Sequence, residues 1–376
     1  MLRKNIIHYV YFGVIIVITV LPILFMDLES NKQSLLDNSY LPEFPQIIGN
    51  VNAQSELGNY LNKRVGFREE AIYAYELALD KMFHKLEHSL YAYGEDGYIM
   101  GNMGTYIQDY QHLNLQTDAE FVDSFTGWLA KVNDYLVGQD IGFLYFLAPD
   151  KKTIYYDYMS DDINVYGDVS RTDMVLERVE SMEIPYVYPE EEFLEAKETQ
   201  QIYNVKYDAL HWNDLGNFLG NKLIDNELQK LNSHIVSLSE EQFELYQVCM
   251  DRLVASFFYV NETVPNYQLK DSAGIRDVTA EDGYKDIVAD SFAHYINDNL
   301  MQAPVILVFH DSYFADSAKF YKGRYKEVIF VHNSNYLMMQ ELVEHYRPDI
   351  VLFENVERVF ASDSFSVETL REWEVK

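Results

Sequence analysis

The stretch that decides the fold is VILVFHDSYFADSAKFY, Val305–Tyr321. Its opening run, Val305 to Phe309, is apolar without a break and reads as a buried strand. The polar turn His310-Asp311-Ser312 follows, and Phe314, Ala318 and Tyr321 then recur at helical spacing. A strand, a tight turn and a helix in that order hold the Ser312 hydroxyl at the carboxyl edge of a sheet, where α/β proteins place their chemistry. The first free N–H groups of such a helix can bind a developing oxyanion. A simpler reading makes Asp311 or Ser312 a helix cap and nothing more.

Upstream, Tyr207-Asp208-Ala209-Leu210-His211-Trp212 stands directly before a helical pattern. An Asp and a His this close in one loop can face each other, the carboxylate accepting Nδ1–H and leaving Nε2 free as a base. A serine hydroxyl needs such a partner to become a nucleophile. His310, beside Ser312, is a rival base, although adjacent residues in a turn usually point apart; it reads better as a neighbour that tunes the pocket. The alternative for His211 is an exposed loop histidine at a helix start.

Composition narrows the classes of function. The 376 residues are 48% hydrophobic, enough for a large core, and length allows two domains or one large α/β domain with insertions. Sixty Asp+Glu against 29 Lys+Arg give a net charge of −31, a surface that repels nucleic acid and anionic lipid. Thirty-one tyrosines suit flat polar ligands such as sugars, with ordinary core packing as the alternative. The one cysteine, Cys249, lies in LYQVCMDRL and reads as a buried small residue. No Cys- or His-based metal spacing occurs, and no cofactor is implied.

Along the chain, Ile6–Met26 carries no acidic, Lys or Arg side chain and is long enough to span a bilayer. Arg3 and Lys4 before it put the N-terminus in the cytoplasm and the rest of the chain outside. With no small-x-small exit at Leu24-Phe25-Met26-Asp27, it reads as an uncleaved signal-anchor. The expected organisation is a tip and transmembrane anchor over 1–29, an extended linker over 30–60, and an extracellular domain over 61–376 with an insertion at 235–295. Helices are expected from Leu61 to Leu86, over Phe121–Val137, Asp173–Ser181, Asn213–Leu231 and Tyr336–Tyr346. Strands are expected at Gly142–Pro149, Pro185–Pro189, Val305–Phe309, Glu327–Val331 and Ile350–Phe353. Strands alternating with helices argue for a mainly parallel sheet flanked by helices.

Taken together, VGFR ending at Arg68, GEDGY at Gly94–Tyr98, APDKKTIYY from Ala148, Asp208…His211-Trp212, HDSYF at His310–Phe314 and RPDIVLFENVER at Arg347–Arg358 fall in a familiar order. The chain resembles the alginate O-acetylation family of AlgJ/AlgX type and the related DHHW proteins. The resemblance implies an SGNH-hydrolase-like α/β domain in which Ser312 is nucleophile, His211 base and Asp208 the residue that orients it. It also implies an oxyanion hole that includes the Ser312 N–H, with Asp311, His310, Asn333 and Trp212 around the pocket. The implied activity is a membrane-anchored O-acetyltransferase. Its acetyl donor would be a membrane-bound O-acyltransferase, its acceptor a cell-surface or exported polysaccharide. Three departures stand out: Ala209 where the family has its Asp two before the His, His310 where it has glycine, and Met250-Asp251-Arg252-Leu253 where it has G-D-L. A carbohydrate acetyl-esterase using the same residues, and an inactive glycan-binding scaffold, are the competing expectations.

Overall fold

The computed structural model describes residues 2–34, 39–88, 90–113, 115–254, 256, 258–361 and 364–375. Two compact units emerge, one of Met1–His88 with Met250–Asn261, the other of Ser89–Cys249 with Glu262–Lys376.

In the first unit, α1 (Leu2–Leu24) covers the stretch in which the sequence places the anchor. Its side chains are described from His8, and nearly all of them up to Phe25 are exposed. Among the described residues no helix is long and apolar enough to cross a membrane. The region read as linker up to residue 60 already contains the start of α2 (Ala53–Arg64). The single helix expected from Leu61 is instead two, because α2 ends and α3 (Arg68–Phe83) begins after a break at Val65-Gly66-Phe67. There the backbone of Gly66 lies against the end of α1. Gly66 N–H donates to Pro22 O at 2.9 Å, and a Cβ on Gly66 would meet the Phe25 carbonyl oxygen at 2.4 Å. Only glycine allows that approach.

The second unit is built on a seven-stranded sheet. Its strands are β1 (Gly142–Ala148), β2 (Tyr186–Val187), β3 (Ile275–Asp277), β4 (Phe292–Asn297), β5 (Val305–His310), β6 (Glu327–His332) and β7 (Ile350–Val356). They lie in the order β2-β1-β7-β5-β6-β4-β3, parallel from β2 to β6, with β4 and β3 added antiparallel at one edge. This is a mixed α/β fold with a mostly parallel sheet, as the alternation of elements predicts.

Both faces are covered, which is why Val305–Phe309 of β5 and Ile350–Phe353 of β7 are apolar runs without alternation. On one face Tyr145, Leu147, Leu307, Phe309, Val351 and Phe353 meet α4 (Leu115–Val137), α5 (Arg171–Ser181), α7 (Met339–Tyr346) and α8 (Val367–Glu372) in one buried cluster centred on Trp128. On the other, Phe146 packs on Trp212 and Phe314, and α6 (Asp214–Leu231) lies close enough that a Cβ on Gly220 would meet the Trp212 ring at 3.1 Å. Asn213 caps α6, its Oδ1 accepting from Leu215 N at 2.9 Å.

Three expectations are corrected. The helix after Ser312 is a pair of short 3-10 turns, Ser312–Phe314 and Ser317–Phe320. Tyr313, Phe314, Ser317, Phe320 and Tyr321 are all buried, so the segment turns apolar groups to more than one side and cannot keep a single helical stripe. The region 235–295 is only partly an insertion: β3 and β4 extend the main sheet, while Phe243–Arg252 and Tyr259–Leu269 pair as a separate two-stranded sheet. Most of Phe243–Arg252 is exposed on both faces, so it shows no inward period to read. Cys249, on that strand, is exposed rather than buried. The native protein should therefore react stoichiometrically with an aromatic disulfide thiol reagent without denaturant. Reaction that waits for unfolding would contradict the exposure of that strand.

Candidate active site

The turn after β5 is fastened by Asp311. Its backbone N–H donates to Glu354 Oε2 at 2.9 Å, its Oδ1 accepts from Tyr313 N at 2.8 Å and its Oδ2 accepts from Val356 N at 2.7 Å. Two of these three bonds run to β7, so the turn is tied to the neighbouring strand. Asp311 is thus the cap that the sequence allows, and capping serves the display of the next residue. Burial raises the Asp311 carboxyl, and burial together with the Asp311 charge pushes Glu354 well above the usual carboxylate range. Ser312 itself is exposed at the carboxyl edge of the sheet. Among the described residues its N–H takes no part in the turn, in which Phe314 N bonds Asp311 O and Ala315 N bonds Ser312 O.

The Asp208–His211 loop comes to meet it. Asp208 Oδ2 lies 2.9 Å from His211 Nδ1, and His211 Nε2 lies 2.9 Å from Ser312 Oγ. Asp208 Oδ1 also accepts from the N–H groups of Leu210 at 2.9 Å and His211 at 3.1 Å. Burial would raise the Asp208 carboxyl, but His211 and these hydrogen bonds hold it at about 2. An ionised carboxylate only accepts, so the Nδ1 facing it carries the proton and Nε2 is left to accept from the Ser312 hydroxyl. Ala209 takes no part in it: three residues of separation between Asp208 and His211 suffice for the contact.

Beneath both loops lies a buried charged network. Tyr313 OH bonds the Leu210 carbonyl and Asp150 Oδ1, and Arg358 Nη1 bonds Asp150 Oδ1 at 2.7 Å and Leu210 O at 3.2 Å. The Arg358 guanidinium lies 4.8 Å over the Tyr313 ring. Lys152 joins from the other side, 3.2 Å from Asp150 and 3.0 Å from Asp109. Glu357 accepts from Asp150 N at 2.8 Å. Burial opposes ionisation of Asp150, and Arg358 and Lys152 outweigh it, keeping that carboxyl below its usual range. The Pro149-Asp150-Lys151 loop after β1 and the Glu357-Arg358 pair after β7 thus converge on one point under Leu210 and Tyr313.

Of the sequence-nominated residues, Ser312, His211 and Asp208 come together; the others take different places. His310 is a correction: its buried ring packs on Phe330 at 5.1 Å, with Nδ1 bonded to Asp311 O at 2.7 Å and Nε2 3.4 Å from Ser291 Oγ. Burial lowers it to about 4, so it is neutral at physiological pH. Trp212 is buried, donating Nε1–H to Tyr313 O at 3.0 Å, and supports the turn from below. Asn333 is buried and bonds the Glu354 carbonyl at 3.0 Å. Met250–Leu253, set against the family's G-D-L, falls in the other unit. Sequence reasoning missed Glu354, Tyr313 and Arg358. The charged residues of the PDK and ER segments were the available signal, since charges beside buried strands need partners.

No family model and no curated protein sequence matches the chain. Its fold does match solved structures. Bacillus cereus PatB1 aligns with a TM-score of 0.53 at 15% identity, over 72% of this chain and 97% of that one. The O-acetyltransferase domain of Pseudomonas putida AlgJ aligns with a TM-score of 0.52 at 12% identity, over 76% and 99% of the two chains. A DHHW family protein from Eubacterium siraeum gives 0.50 at 12% identity, over 76% and 97%. The likeness is one of fold.

A depressed Asp208 stabilises the folded state above its unfolded pKa of 3.8, and that contribution is lost as pH falls through about 2. The gap in unfolding free energy between wild type and Asp208→Asn should narrow by about 2 kcal/mol as pH drops from about 5 toward 2. A gap that does not change with pH, measured by denaturant titration, would contradict the Asp208–His211 contact.

Proposed function

We propose that the chain is a serine-dependent O-acetyltransferase acting on a cell-surface or exported polysaccharide. The reading rests on one observation above the others, the continuous line of contacts from the Asp208 carboxylate through the His211 ring to the Ser312 hydroxyl. The fold shared with the AlgJ O-acetyltransferase domain supports it.

In this reaction His211 Nε2 takes the Ser312 proton as Oγ attacks the acetyl carbonyl of the donor. The bond to the donor's leaving group breaks, and His211 returns the proton to that group. Ser312 now carries the acetyl as an ester. A sugar hydroxyl then gives its proton to His211 and attacks the ester carbonyl, and the proton passes back to Ser312 Oγ as it leaves. Asp208 keeps the ring in its working tautomer and offsets the positive charge that His211 gains in each half. The Ser312 N–H, uncommitted in the turn, is the first donor to the oxyanion.

The apolar stretch Ile6–Met26 supports reading α1 as a membrane anchor in this proposal, with the catalytic unit outside the cell, SGNH-hydrolase-like in kind. Acetyl donors made in the cytoplasm must then be relayed, and a membrane-bound O-acyltransferase is the partner that does so. The exposure of Ser312 suits both a protein donor and a polymer acceptor. The same exposure lets water reach the ester, and on that ground a polysaccharide acetyl-esterase is the second reading. The 2.9 Å contacts at both ends of His211 weigh against an inactive scaffold.

The test uses the full-length protein in detergent with 4-nitrophenyl acetate and neutral oligosaccharide acceptors. Ser312→Ala and His211→Ala should each lower 4-nitrophenol release by at least about 10³-fold, and wild type should leave acetyl on the sugar. Release into water with no sugar acetylated favours the esterase. Release unaffected by Ser312→Ala overturns both.

A further inference from the structure

Three consecutive backbone N–H groups directly ahead of Asp208 converge on one side chain from a distant part of the chain. Val205 N and Lys206 N donate to Glu262 Oε1 and Oε2 at 2.6 Å each, and Tyr207 N donates to Oε2 as well. Glu262 lies on the strand Tyr259–Leu269, which is outside the parallel sheet. Five residues further on, Tyr267 N donates to Asp214 Oδ2 at 2.6 Å, at the first turn of α6. The loop carrying Asp208 and His211 is therefore fastened to this strand at both ends, before residue 208 and after residue 213.

The opposite side of the same segment is held by Lys151, whose Nζ is fully buried and donates to Ile99 O at 2.8 Å and Val205 O at 3.5 Å. The Asp208 and Glu262 carboxylates both act on that ammonium, opposing the burial that lowers it to about 7. Residues 205–207 thus lie between a carboxylate that takes their N–H groups and a lysine that takes a carbonyl. Hydrogen bonds to a charged acceptor are roughly twice as strong as neutral ones, and three on one carboxylate fix the direction of the chain that leaves it. Asp208 is the next residue along that chain.

We propose that Glu262 is a positioning residue for the Asp208–His211 pair: by gathering the N–H groups of residues 205–207 it sets where Asp208 meets His211. The inference rests on the catalytic reading above and deepens it. Glu262 touches no reacting atom and acts through the loop alone. A misplacement of about 1 Å in such a pair is enough to lower turnover by about 10²-fold, with substrate binding left intact.

The test compares wild type with Glu262→Gln and Glu262→Asp in the full-length protein, reading kcat and KM for 4-nitrophenyl acetate, thermal stability, and the downfield proton resonance of His211 Nδ1. A glutamine offers one acceptor oxygen and turns an NH2 toward N–H groups, so Glu262→Gln should lose about 10- to 100-fold in kcat with KM within about 2-fold. Its Nδ1 resonance should broaden or move. Glu262→Asp keeps the carboxylate on a shorter stem and should fall between the two. Glu244→Gln, on the partner strand and exposed, is the control with wild-type kinetics. If Glu262→Gln does not fold, Glu262→Asp is compared with wild type by the same three readouts and decides the question. A folded Glu262 variant with wild-type kcat and an unmoved Nδ1 resonance overturns the inference while Ser312→Ala is still inactive. Activity that survives Ser312→Ala overturns the catalytic reading instead.

Discussion

The buried contact between Arg358 and Asp150 is the constraint on which the site depends. Asp150 follows β1 and Arg358 follows β7, neighbours in the sheet, and their charges meet at 2.7 Å with Asp150 wholly buried. A buried ion pair is not in itself a source of stability, because desolvating both charges offsets much of their attraction. What this one provides is direction. The guanidinium also bonds the Leu210 carbonyl, one residue before His211, and lies over the ring of Tyr313, one residue after Ser312. Tyr313 OH bonds the same carbonyl. Two loops about a hundred residues apart in sequence are thus referred to one rigid point, and the 2.9 Å approach of His211 to Ser312 follows from it.

A second constraint acts at the turn. Asp311 commits its backbone N–H and both carboxylate oxygens to Glu354, Tyr313 and Val356, and beside it Glu354 is fully buried, its carboxyl pushed well above the usual range by burial and the Asp311 charge. An ionised Glu354 would meet both the cost of burial and the repulsion of the Asp311 carboxylate. The result is a serine displayed on a short 3-10 turn rather than on the first turn of an α-helix. Under the proposed mechanism an oxyanion would meet the N–H of Ser312 at this turn rather than a helix terminus.

What the sequence revealed tracks the range of the forces involved. The apolar run Val305–Phe309 could only be a strand covered on both faces, and Asp208 and His211 share a loop, so their contact is local enough to read. The segment after Ser312 misled because aromatic spacing resembles a helical stripe when buried groups in fact point several ways. The helix expected from Leu61 to Leu86 was broken by the approach of Gly66 to Phe25, a contact across about forty residues that no local pattern shows. Glu262 was illegible for the same reason. Its partners lie 55 to 57 residues away, and a lone glutamate in a strand carries no mark of its role. Cys249 misled through its apolar neighbours, of which Leu245 and Tyr246 on the same strand are exposed.

The proposed mechanism turns on an acetyl group held by Ser312. The most direct measurement is intact-protein and peptide mass spectrometry of the full-length protein quenched in acid within seconds of mixing with 4-nitrophenyl acetate. A serine nucleophile predicts one acetyl per chain, on the peptide containing Ser312, and none in Ser312→Ala. An unmodified Ser312 peptide during turnover, or acetyl on another residue that persists in Ser312→Ala, would contradict it.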